Sequence, residues 1–349
     1  MESGEFEAAF NSLQAASILQ YAAGRPLDVC LEEANHIIGL IRQYKVETVR
    51  LVAEQALLRA PMDLSGKTTD PLSWASKEVE PPSRSLDMST IIQLIWRYTS
   101  CLQIAYYLGE VELACRIADY ADAIEFADLT CVGVSFRIFF RALAYTALYR
   151  KSPKRKYRTQ ARKALRRMRS RVEKKDINNL HKYYILEADT SATFGLARGK
   201  EKELYDKAIS KATRTGFVQD GALANELAGE YFASRGDKFW AKHYLTKAYT
   251  MYEMWQARAK TKRLADLYGN LLDADSALSD DYISRKKSCK PETMSAVQMH
   301  HTLNTERDAL LRSKDGGSSR LTEELSYGLS SHSLPPYQSS DKLPVRDDP

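Results

Sequence analysis

Residues 225–252 read NELAGEYFASRGDKFWAKHYLTKAYTMY, and residues 98–124 read YTSCLQIAYYLGEVELACRIADYADAI. Each sets one glycine, Gly236 or Gly109, between two runs whose apolar residues recur at helical period. Five and twelve positions past the glycine stand Ala241 and Ala248 in the first stretch, Ala114 and Ala121 in the second. Seven positions before it stand Gly229 and Leu102; four before it stand Phe232 and Ala105. Two helices approach closely only where side chains are small, and a spacing of seven keeps both alanines on one face. The pattern predicts stacked antiparallel helical hairpins, with Leu102, Gly109, Ala114, Ala121, Gly229, Gly236, Ala241 and Ala248 as packing positions.

These are the small and apolar positions of the tetratricopeptide pattern, and both windows resemble that repeat. Tyr98 and Asn225 stand where the pattern has an early tryptophan, and no proline closes either unit. A looser copy surrounds Gly199, with Leu204 and Lys211 at the alanine offsets.

A longer likeness spans residues 216–268. Its Ala222, Leu223, Ala224, Glu226, Leu227, Ala228 and Gly229 are followed by Gly236, Ala241, Tyr244, Leu245 and Ala248. Tyr252, Trp255, Ala257, Ala259 and Lys260 complete it. The stretch resembles the helical region of large multidomain signalling proteins that join a Ser/Thr-kinase-like domain, a predicted ATPase and sensor or histidine-kinase modules. The departures are Gly221, where an acid is usual, and Gln256, where a glycine follows the tryptophan. No kinase, ATPase or phospho-acceptor histidine motif accompanies it, so the resemblance implies a scaffold and not catalysis. It also implies a third reading, that the chain is a piece of such a protein.

Outside these windows the chain is organised by composition. Its 349 residues include 16 Gly and 11 Pro, few for a barrel or sandwich. Residues 1–60 predict a hairpin, Ala8–Ala23 and Leu27–Tyr44, and a helix from Val46 that stops at Pro61. Residues 61–89, with Pro61, Pro71, Pro81 and Pro82, predict a loop. Residues 90–272 carry the repeat-like helices. Residues 273–349 are rich in Ser, Asp, Lys and Pro and predict a mostly disordered tail. The fold expected is all-α, a right-handed tetratricopeptide-like stack (an α-solenoid) with that tail. The most apolar window, Cys131–Tyr149, carries Arg137 and Arg141. Each would cost roughly 2.5–3.5 kcal/mol at a bilayer centre, so a buried helix is expected and not a span. Residues Met1–Glu7 are acidic and show no secretory leader.

Motifs for chemistry are sparse. Ser65-Gly66-Lys67-Thr68 ends like a phosphate loop, but Pro61 occupies the place of its first glycine. Five scattered cysteines and six histidines form no zinc or nucleophile constellation. His181 and His243 read as helix-surface residues, and Asp119, Asp122, Glu125 and Asp128 as an exposed acidic face. No cofactor, metal or catalytic residue is expected, and the chain is not read as an enzyme.

Charge is the one concentrated signal. Residues 150–175, RKSPKRKYRTQARKALRRMRSRVEKK, hold 14 Lys and Arg against a single acid, Glu173. The window is +13 within a chain of +6, leaving −7 for the rest. Ala161, Ala164, Leu165, Met168 and Val172 form a narrow apolar stripe from which the cations fan outward. Several readings stay open: a solvated face partly neutralised by the acidic helix from Glu110 to Asp128, an acidic protein or peptide partner, RNA, DNA or an anionic membrane, or a nuclear-import signal in KRKYR. The function expected is protein–protein interaction in signalling, with a partner in a concave groove. Tyr98, Asn225, Phe232, Arg166, Arg167, Arg169 and Arg171 are the expected partner contacts. The expected compartment is reducing and cytoplasmic, with a nuclear alternative.

Overall fold

The apolar period turns into helices almost throughout. The structure, a computed structural model, describes residues 3–73, 88–124, 132–174 and 176–272. The expected disordered tail and most of the expected 61–89 loop lie outside these residues. Helices α1 (Ser3–Ala22) and α2 (Leu27–Gln43) form the N-terminal hairpin. Helix α3 (Glu47–Ala53) runs through a π-helical turn, Glu54–Leu58, into α4 (Arg59–Leu64). Four consecutive pairs follow: α5 (Met88–Tyr107) with α6 (Val111–Ala123), α7 (Val132–Lys151) with α8 (Arg155–Glu173), α9 (Leu180–Thr193) with α10 (Glu201–Arg214), and α11 (Val218–Ser234) with α12 (Lys238–Trp255). Helix α13 (Arg258–Tyr268) closes the described chain, and no strand occurs among the described residues.

Pro61 does not end its helix as expected. It cannot donate a hydrogen bond, and its ring crowds the carbonyl four residues back. The wide π turn just before it relieves that crowding and lets the helix continue to Leu64.

Two classes of helix divide the pairs. The second members show one buried stripe: Ala114, Ala118 and Ala121 on α6, Ala161, Ala164 and Met168 on α8, Tyr205, Ala208 and Ala212 on α10. The first members form a contiguous row, with α5 against α7, α7 against α9, and α9 against α11. They are buried nearly all round; on α11 every residue from Gln219 to Gly229 is buried. Ala114, Ala121, Ala241 and Ala248 are at most 4% exposed. Gly229 faces α12 so closely that a Cβ there would stand 2.6 Å from Leu245 Cγ.

The row is covered by the two ends of the described chain. Tyr21 on α1 donates to Gln103 on α5 at 2.9 Å, and Gln219 on α11 donates to the Ala22 carbonyl at 2.7 Å. Asp28 at the start of α2 pairs with Lys67 at 2.9 Å and with Arg258 on α13 at 3.0 Å. Its backbone N–H donates to Gln256 Oε1. Gln256, the residue after Trp255, is left-handed at φ 64° and caps α12. Its side chain thus ties the α12–α13 turn to the N-terminal hairpin.

Candidate functional site

Helix α8 begins at Arg155 because Pro153 interrupts α7 and Lys154 takes an extended conformation. Only Ala161, Ala164 and Met168 are buried, which leaves most of its circumference to solvent. Lys154, Arg155, Lys156, Arg162, Lys163, Arg166, Arg167 and Arg169 are exposed. Like charges a turn apart repel by roughly 0.2–0.5 kcal/mol per pair, so acids at the helix edges matter. Arg167 pairs with Asp122 of α6 at 3.1 Å, Arg169 with Glu173 at 3.0 Å and Arg171 with Asp176 at 3.0 Å. The side chains of Arg155, Lys156, Arg162, Lys163 and Arg166 enter no ion pair among the described residues.

The acidic helix α6 is spent largely on its neighbours. Asp119 and Asp122 flank the buried Arg141 at 3.1 and 3.5 Å, Tyr145 donates to Asp119 at 2.6 Å, and Glu112 pairs with Lys151. Glu125 and Asp128 lie outside the described residues.

The expected groove contacts sit differently. Tyr98 and Asn225 are each 1% exposed, which corrects their reading as partner contacts. Asn225 donates to the Gly221 carbonyl one turn back, at 2.8 Å. Phe232 is partly buried, stacked on Tyr244 with centroids 5.7 Å apart. Burial follows from the covered row: its helices keep no open wall at these positions.

Two polar clusters lie deeper among these helices. His181 is 1% exposed, not on the surface as expected. Its Nε2 lies 2.7 Å from Asp220 Oδ2, and Lys182 donates to the same oxygen at 2.6 Å. Phe217 stacks on the imidazole at 4.1 Å. Burial, then the Lys182 charge, holds the His181 pKa below its ordinary value. Burial pushes the Asp220 carboxyl up, but Lys182 and the hydrogen bond from His181 outweigh it and leave it at about 2.

The second cluster lines a cavity of about 300 Å³ between the α5–α6 turn, the end of α7, α11 and α13. Lys260 donates to Glu226 Oε1 at 2.6 Å and to the Tyr107 carbonyl at 3.1 Å, and Tyr252 donates to Glu226 Oε2 at 2.6 Å. Arg150, at the rim, pairs with the buried Asp189 at 2.7 Å. Glu230 lies one turn beyond Glu226. Burial and the neighbouring Glu226 charge push its carboxyl up to about 7.

Sequence reasoning missed both clusters, because their partners lie on different helices. The one local signal was the pair of acids four apart, Glu226 and Glu230, inside the small-residue run of α11. No group of three or more His, Cys, Asp or Glu suited to a metal occurs among the described residues, and no helix there is long and apolar enough to cross a membrane. No family model matches the chain, and neither a curated protein nor a solved structure shows significant similarity to it.

Proposed function

We propose that the chain is a non-catalytic interaction module, a tetratricopeptide-like stack of helical hairpins that docks an acidic protein or peptide on the outward face of α8. One observation carries the reading: five cationic side chains on that face, Arg155, Lys156, Arg162, Lys163 and Arg166, have no ion-pair partner among the described residues. The row of first helices flanked by one-sided second helices supports the repeat reading. The likeness of residues 216–268 to multidomain signalling proteins supports a regulatory setting.

An acidic protein suits the face better than single-stranded nucleic acid. Bases need exposed rings on which to stack. Tyr157, the one aromatic residue in the basic run, packs its ring toward Tyr145 with centroids 6.2 Å apart and carries the Lys154 ammonium 5.8 Å from its centroid.

The test compares an Asp/Glu-rich peptide with a single-stranded oligonucleotide over a salt series, using the chain and an Arg162→Ser/Arg166→Ser variant. The reading expects the peptide to be the tighter ligand and the variant to weaken it about tenfold or more. Tighter oligonucleotide binding with a steep salt slope would make this a nucleic-acid face. Peptide affinity that ignores the substitutions would overturn the site.

A further inference from the structure

Charge accounting around the α11–α13 cavity leaves one group of each sign over. Lys260 is matched by Glu226, Arg150 by Asp189, and Lys151 by Glu112 at 3.2 Å. Glu230 and Arg263 line the same cavity and enter no ion pair or side-chain hydrogen bond among the described residues. Gly109 makes room for the second of them, since a Cβ there would run into the Arg263 guanidinium. Its φ of +86° also favours glycine, so the turn serves both needs. The other walls include apolar surface from Val111, Leu223 and Leu227, with the Tyr106 ring beside them.

A cavity of this kind selects by charge balance. An anion alone would leave the Glu230 carboxyl without an ionic partner of its own, and a cation alone would leave the Arg263 guanidinium without one. The volume lies at the small end of ligand sites, which run roughly 300–1,000 Å³. We infer that this cavity binds a free apolar α-amino acid, its ammonium meeting Glu230, its carboxylate meeting Arg263 and its side chain lying against Leu223, Leu227 and Tyr106. The protonated tendency of Glu230 fits this role, because an arriving ammonium supplies the positive charge that the carboxylate lacks. The site is separate from the α8 face and stands whether or not that face binds a partner.

Calorimetric titration of the full chain with leucine, isoamylamine and isocaproate tests the inference, the last two lacking the carboxylate and the amine. Leucine should saturate, with each truncated analogue weaker by about tenfold or more. Glu230→Gln should erase the preference for leucine over isocaproate, and Arg263→Met the preference over isoamylamine. Neither side chain takes part in an ion pair among the described residues, so Arg263→Met should melt like the parent. Glu230→Gln should melt at least as high at neutral pH, where ionising the buried carboxyl costs the parent stability. Should Arg263→Met lose its cooperative melt, Arg263→Lys gives the same information: the preference should shrink without vanishing. No saturable heat at millimolar leucine, equal binding of all three compounds, or preferences unmoved by the substitutions would overturn the site.

Discussion

Helices α8 and α11 have similar lengths and opposite fates. The first, 19 residues long, buries three side chains and sends its charges into water; the second, 17 residues long, buries eleven in succession. The same chemistry therefore carries different weight in each. Lys260 and Glu226 meet at 2.6 Å with side chains 3% and 7% exposed, whereas Arg169 and Glu173 meet at 3.0 Å with 64% and 58% exposure. Water screens the surface pair and is excluded from the buried one, so removing a partner strands a charge only in the second case.

The sharpest break of this contrast is Lys260→Met. It leaves the Glu226 carboxylate buried with, among the described residues, only the Tyr252 hydroxyl and should cost about 3–5 kcal/mol, read from urea unfolding. Replacing both partners, Lys260→Met with Glu226→Met, should recover part of that loss, since no unmatched charge then remains.

Next in size is Gly229→Ala. Alanine gains about 1 kcal/mol of helix propensity over glycine, but its Cβ would press on Leu245, whose backbone nitrogen lies 3.1 Å away and cannot move aside cheaply. A net loss of about 1–3 kcal/mol is expected from overpacking. Gly39 on α2 is the control, with nothing within 4 Å of an added Cβ. There the same change should stabilise by about 0.5–1 kcal/mol. Equal effects at the two sites would mean that α11 and α12 do not approach this closely.

Glu230 gives a smaller, pH-dependent effect. Its folded pKa of about 7 lies above the ordinary 4.5, so between those values the folded chain holds a proton that the unfolded chain releases. Stability from this group is complete at low pH and falls as pH rises through that window. His181 works the other way: held below 6.5, it makes the unfolded chain the better proton binder, and stability rises with pH. Subtracting the Glu230→Gln curve from the parent's cancels the His181 part. Between about pH 5 and about pH 8 the parent should lose on the order of 1 kcal/mol relative to the variant.

What the sequence disclosed follows the same division. Helix α8 was legible because both of its signals are local: a run of cations and a stripe at three- and four-residue spacing. The helical state of α11 was legible too, from its period and the density of Ala and Gly in GALANELAG. Its environment was not. A helix buried on all sides has no single apolar face, so Asn225 read as a groove contact and the acids of the run carried no special meaning. His181 read as a helix-surface residue because a lone polar residue in a helix usually is; the carboxylate it shares with Lys182, Asp220, stands on α11, 38 residues further along the chain from Lys182. Pairings of this kind are set by which helices meet. The N-terminal hairpin was legible as a hairpin, whereas its return onto α11 and α13 rests on single residues, Asp28, Gln219 and Gln256, that no periodicity distinguishes.

The smallest effect expected is the most telling for α8. Arg162→Ser with Arg166→Ser removes two exposed cations that hold no ion pair among the described residues, and it relieves repulsion along the helix. Serine also has a weaker helix propensity than arginine, by a few tenths of a kcal/mol per site, so the two changes oppose each other. Stability should stay within about 0.5 kcal/mol of the parent. A chain that keeps its fold after losing these charges, and loses its acidic ligand, carries them for binding. A chain that unfolds instead uses them internally, and α8 would then belong with α11 as a structural element.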